Sequence, residues 1–149
     1  MAPETFYKVC SLQQIFDIEN GRILNDYFSL NRRRDCILKY EPGKTTKAPK
    51  GTALFAFENF SDAEEYLNSF KSIASLAILK GTGTRYKYKI PDKIPAPWAT
   101  YYFKEFWKRI KSSEEYPNKN IAHSELMNTP TKVVFLSSFK PLQVVLRHL

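Results

Sequence analysis

The chain of 149 residues is short of the side chains that most chemistry needs, with two cysteines, two histidines and five glycines. Cys10 and Cys36 lie far apart in apolar, strand-like settings, which excludes a disulfide-framed scaffold and reads as two buried free thiols. His123 and His148 stand in no spacing with a second ligand or a nucleophile, so neither a metal site nor a catalytic triad is legible, and no cofactor is implied. Gly81-Thr82-Gly83 lacks the Lys-Ser/Thr ending and the following helix of a P-loop and reads as a turn. Long apolar runs are missing too. None approaches a membrane span, and Met1-Ala2-Pro3-Glu4 lacks the basic then apolar character of a secretion signal, so an intracellular protein, cytoplasmic or nuclear, is expected.

What is present suits one folded domain over residues 1–149. The hydrophobic fraction is 43% and the aromatic fraction 15%, with 11 Phe and 9 Tyr, enough ring surface to fill a core and to serve a binding face as well. The clearest local pattern is Gly51 to Phe70. Residues 52–58 form a short Leu- and Phe-rich run that suits a strand buried on both faces. Ser61 then reads as a helix N-cap whose box is completed by Glu64, with Asp62 and Glu65 favouring the positive end of the dipole. Ala63, Tyr66, Leu67 and Phe70 recur at helical spacing, so the helix is expected to lie back on its strand.

Around that unit, residues 5–10 read as a first strand. Ser11 is placed to cap a helix over residues 12–18, with Leu12, Ile15 and Phe16 as its stripe and Gly21 as its stop. Arg32-Arg33-Arg34 reads as a solvated loop, residues 36–40 as a strand, and Glu41-Pro42-Gly43-Lys44 as a turn. Residues 73–79 and 84–90 read as two strands of a hairpin turning at Lys80-Gly81-Thr82-Gly83. Pro91, Pro95 and Pro97 then lead to an amphipathic helix from Trp98, and residues 132–136 and 142–146 supply two closing strands. The order predicts an α+β fold, with a mixed or mainly antiparallel sheet of about five to seven strands and two main helices.

Charge is the only functional signal. The net charge is +8, and residues 80–111 hold 9 basic and 2 acidic side chains. Arg85, Lys87 and Lys89 alternate with Tyr86, Tyr88 and Ile90, which puts the cations on one strand face. Lys104, Lys108, Arg109 and Lys111 surround the apolar stripe of the helix that follows. Cations for phosphates beside rings for bases are what single-stranded nucleic acid or a nucleotide requires. The predicted function is therefore binding of an anionic ligand, preferably nucleic acid or a nucleotide. The ligand-binding set is Arg85, Lys87, Lys89, Lys104, Lys108, Arg109 and Lys111. An interaction protein, such as a viral inhibitor, docking this basic face on an acidic partner is the alternative.

Phe6-Tyr7-Lys8-Val9, the stretch from Lys39-Tyr40-Glu41-Pro42-Gly43 through Ala48-Pro49-Lys50-Gly51-Thr52-Ala53-Leu54-Phe55-Ala56-Phe57, and Ser137-Ser138-Phe139-Lys140-Pro141-Leu142 follow in an order that resembles a loose group of small uncharacterised proteins from phages, bacteria and large DNA viruses. The resemblance covers about half the chain and implies a viral or phage-like origin without an activity. The same pattern is similar to ADP-ribosyltransferase-like folds, which would imply a transferase. That family uses an Arg or His on the first strand and a Ser-Thr-Ser-like strand, whereas this chain has Lys8 at the first and no match to the second.

Overall fold

The computed structural model describes residues 4–30, 38–49, 53–70, 75–86, 93–95, 126–128 and 132–149. Along the chain run β1 (Glu4–Asp17), β2 (Arg22–Phe28), β3 (Thr46–Lys47), β4 (Leu54–Phe57), α1 (Phe60–Asn68), β5 (Leu76–Arg85), β6 (Lys93–Pro95), β7 (Leu126–Asn128) and β8 (Val133–His148). Strand predominates, every pairing is antiparallel, and one helix is present among the described residues. The expected α+β fold with two main helices is thereby overturned. The helix expected from Trp98, like Arg32-Arg33-Arg34, lies outside the described residues.

Three long strands replace elements that the sequence divides. Residues 12–17 continue β1 instead of starting a helix capped by Ser11, because Leu12 pairs with buried Tyr27 and the pairing with β2 runs on to Asp17 and Arg22. Gly21 closes this hairpin at φ 63°, its N–H donating to the Asp17 carbonyl at 2.8 Å. The Asp17 carboxylate accepts from the Glu19 N–H at 3.1 Å and the Asn20 side-chain amide at 2.7 Å, chemistry that makes Asp a turn residue. Lys80-Gly81-Thr82-Gly83, expected as a turn, lies inside β5. A Cβ on Gly81 would collide with the Lys140 carbonyl oxygen, and one on Gly83 would stand 2.6 Å from the Ser138 oxygen. The glycines admit close approach of β8 at a register shift, one of the other positions where strand glycine is found. Residues 132–136 and 142–146, expected as two strands, belong to the single β8. Pro141, opposite Gly81 beside that shift, sits within it. The turn expected at residues 41–44 is present, with Gly43 at φ 85° and the Lys44 N–H donating to the Glu41 carbonyl at 3.0 Å. Of the strand expected over residues 36–40, Lys39 forms one isolated bridge with Phe28, and Cys36 lies outside the described residues.

The pairings close on themselves. β1 pairs with β5, β5 with β8, β8 with β4, and β4 with β1 through Tyr7 and Phe57, while β2 and β3 extend the ring along β1 and β8. Alternate side chains of each strand point to opposite faces, so the ring has two apolar layers. Phe6, Cys10, Leu54, Ala56, Ala77, Leu79, Leu136 and Phe139 fill the inside. Val9, Phe57, Leu76, Ile78 and Val133 face outward and are covered by Ala63, Leu67 and Phe70 of α1 and the turn that ends it. The expected strand-and-helix unit is thus present, but its cap is not the expected one. Asn59, extended at φ −122° and ψ 143°, precedes the helix, its side-chain amide donating to Asp62 at 3.1 Å, and Ser61 falls within the first turn. Beyond the ring, β1 and β2 project as a ribbon that exposes Ile15, Phe16, Ile23 and Leu24.

Candidate functional site

Arg85 is the member of the expected ligand-binding set that the structure describes, and it is already occupied. It ends β5 beside the start of β1 and the end of β4. Its Nε donates to both Glu4 carboxylate oxygens at 3.1 and 3.0 Å, and its Nη2 to Glu58 Oε1 at 2.7 Å. The guanidinium lies 5.2 Å from the centroid of the Phe6 ring. Hydrogen bonds to Glu4 and then to Glu58 hold Arg85 protonated beyond its ordinary range, and the bond from Arg85 holds the Glu4 carboxyl below its own. Such a guanidinium ties three strand ends together, with Nε and Nη2 both engaged by carboxylates. Lys87, Lys89, Lys104, Lys108, Arg109 and Lys111 lie outside the described residues.

The remaining framework cations divide by partner. Lys39 reaches Glu41 at 3.2 Å and Asp26 at 3.6 Å, Lys44 reaches Glu41 at 2.9 Å, Arg22 stands 3.7 Å from Asp17, and Arg147 donates to the Tyr27 hydroxyl at 3.2 Å. Lys47 on β3 and Lys140 on the adjacent β8 are exposed and make no ion pair among the described residues. Sequence reading missed this pair because it looked for charge where it is dense, whereas β3 and β8 bring isolated lysines close through pairing of Thr46 with Phe139.

A second omission is Lys8. Its register with Phe6 and Cys10 turns it into the ring, where it is 7% exposed and the only charged side chain buried among the described residues. The signal was in the sequence: Phe6, Lys8, Cys10 and Leu12 alternate, so a strand that buries three of them buries the fourth. No hydrogen bond or ion pair to its amine is found among the described residues. Nζ lies 5.5 Å from the centroid of the Tyr40 ring, and Phe139 meets that ring edge-on at 6.3 Å. A ring face returns about 1–2 kcal/mol to a desolvated cation, while burying an ion costs several, so burial favours the neutral amine. Burial accordingly lowers the Lys8 pKa, with the Cys10 sulfur opposing the shift. Burial also pushes the Cys10 thiol up to about 12 and the Tyr40 phenol well above its ordinary range. Burial thus favours the uncharged form of amine, thiol and phenol alike.

The strand pattern leaves part of one edge of β1 without a ladder partner here, although Lys8, Val9 and Cys10 are buried. On the side away from β5, β4 pairs with β1 at Tyr7 and β2 joins it from Ser11 onward. Lys8, Val9 and Cys10 between them have no strand partner on that side among the described residues. Tyr40 is held at this seam by its N–H, which donates to the Tyr27 carbonyl at 2.7 Å.

Among the described residues there is no group of three His, Cys, Asp or Glu side chains able to hold a metal ion, and no helix long and apolar enough to cross a membrane. Comparison with protein families, with curated proteins and with solved structures finds no match to the chain.

Proposed function

We propose that the protein binds an anionic ligand, with nucleic acid or a nucleotide preferred, through cations on the segments that connect a nearly neutral ring of strands. One observation carries this reading. The described residues hold 11 basic and 9 acidic side chains, so +2 of the +8 belongs to the framework and the remainder to the connecting segments. On the framework Arg22, Lys39, Lys44 and Arg85 are engaged by carboxylates. Lys87, Lys89, Lys104, Lys108, Arg109 and Lys111 therefore stand as the proposed contacts, joined by Lys47 and Lys140, and Arg85 leaves the set.

Fluorescence anisotropy of a labelled random-sequence oligonucleotide tests the reading. Affinity should fall linearly on logarithmic axes as salt rises, because each neutralised phosphate releases counterion. Reversing charge at Lys87 and Lys89 should make the slope shallower by about 0.7 for each single-strand phosphate that is no longer neutralised, while Arg85→Ala should leave it unchanged. Binding weaker than about 10⁻⁴ M at near-physiological salt would discard nucleic acid and leave a nucleotide or an acidic protein as the anion.

A further inference from the structure

We propose that the protein forms a symmetric dimer in which the outer edge of β2 pairs with the same edge of a second copy. The free part of that edge is short. Tyr40 N–H donates to the Tyr27 carbonyl and Ser29 N–H donates to the Leu38 carbonyl, so residues 38–40 cover the edge at its C-terminal end. From Arg22 to Asp26, no described strand lies on the side away from β1. Backbone groups change sides at each residue of an antiparallel strand, so those of Ile23 and Asn25 turn outward in step with Tyr27 and Ser29. An edge of this kind is a template for another strand.

The sequence of the edge then selects its occupant. A two-fold axis at Leu24 sets Leu24 against its own copy, Ile23 opposite Asn25, and Arg22 opposite Asp26 on both sides of the axis. The outward groups of Ile23 and Asn25 then exchange their backbone hydrogen bonds. The Leu24–Leu24 and Arg22–Asp26 pairs fall at the non-hydrogen-bonded positions, where side chains are closest. An axis at Ile23 would put Arg22 against Leu24, and one at Asn25 would run the partner strand into the edge that residues 38–40 already hold. Opposite charges directly across a ladder stabilise it, so the side chains favour Leu24 as the centre. Arg22 stands 3.7 Å from Asp17, and Asp26 3.6 Å from Lys39. Across the junction the signs therefore alternate from Asp17 and Arg22 to Asp26 and Lys39 of the second copy. On the same face, exposed Ile15 lies across β2 from exposed Leu24, and pairing joins these residues of both copies into one apolar row. This inference is independent of the anionic-ligand reading, since it concerns the edge of β2 and not the connecting segments.

Sedimentation of the full chain tests it. The weight-average mass should rise from the 17.4 kDa of one chain toward twice that value as concentration approaches about 100 μM. Arg22→Glu and Asp26→Lys should each remain monomeric, because like charges then face each other at both ends of the pairing. Mixing the two variants should restore a dimer, because every facing pair is then of opposite sign. Under mild oxidation Leu24→Cys should yield a covalent dimer beyond that of the unaltered chain, since Cα atoms about 4.5 Å apart lie within disulfide reach. Leu142→Cys, equally open to solvent, should not. An unaltered chain that stays monomeric at that concentration overturns the proposal, as does a dimer that survives both charge reversals or a mixture of folded variants that does not associate. The unaltered chain and Leu24→Cys decide the matter even where a charge variant does not fold.

Discussion

Arg85 and Lys8 sit on the paired strands β5 and β1, and they differ in opposite senses. Arg85 is at the rim, half exposed, and satisfied by two carboxylates and a ring; Lys8 is inside, beside a ring and, among the described residues, without a carboxylate. Position along a strand alternation, not local charge density, separates them. The difference teaches that the conspicuous cation is a structural tie, whereas the inconspicuous one carries an unmet chemical potential. An exposed ion pair is worth about 0–1 kcal/mol, and a buried charge without a partner costs more than that.

The largest expected effect strikes both residues at once. Gly81→Ala places a methyl group against the Lys140 carbonyl and the Pro141 Cα, which lies 2.9 Å from the new Cβ, and backbone cannot rotate away as a side chain can. A loss of about 3 kcal/mol is expected in urea denaturation, since overpacking of a close backbone contact falls at the upper end of its usual range. If Gly81→Ala is neutral, β5 and β8 do not approach as described and the placement of both cations fails with them.

Lys8→Met separates the pair. Filling the site with an apolar side chain of similar length should raise stability by about 2 kcal/mol, since a buried polar group without a hydrogen bond gives way to a packed hydrophobe. The sign with pH follows from the depressed amine. Between its folded and unfolded ionisation points the unfolded chain holds more protons, so the Lys8 contribution to stability rises with pH, with a slope approaching about 1.4 kcal/mol per unit and ending near pH 10.4. Cys10 and Tyr40 act oppositely, because burial keeps them protonated and their stabilisation is lost as pH rises through the alkaline range. The difference between wild type and Lys8→Met in denaturation series at successive pH values removes those shared terms. A difference that does not change with pH would mean that Lys8 titrates like a solvated lysine.

Arg85→Ala should give the smallest change, a loss of about 1 kcal/mol in the same assay. It combines screened ion pairs with reduced packing on Phe6, and part of the loss should disappear in salt. Loss of oligonucleotide affinity out of proportion to stability would return Arg85 to the ligand-binding set.

Much of the outer layer was legible, because it rests on one local pattern. Residues 54–57 and Ala63, Leu67 and Phe70 form their strand and helix face with period signals contained in twenty residues. The long strands were not, and each failure has a physical source. Leu12, Ile15 and Phe16 satisfy a helical stripe and a strand equally well, and the choice was made by Tyr27, Leu24 and Ile23 across the hairpin. Gly81 and Gly83 carry the composition of a turn, but their small size is used against β8, whose facing residues lie more than fifty positions away. The cap was misplaced by two residues because Ser61 and Glu64 match a box as well as Asn59 and Asp62 flank a start. For the candidate site, the alternation that buries Lys8 was available, but that Tyr40 would lie over it depended on a long-range contact.

β8 pairs with β3, β4 and β5, and all three precede it in the chain. Growth of the polypeptide at roughly 5–20 residues per second means that β4 and β5 exist for several seconds before Val133 is made. During that interval each has an edge of unpaired backbone groups, and the inner cluster lacks Val134, Leu136 and Phe139. Contacts of such sequence separation are costly in loop entropy and slow to form. The nascent chain is therefore most exposed to wrong partners late in its synthesis, and a chaperone that shields strand edges would act on this protein then.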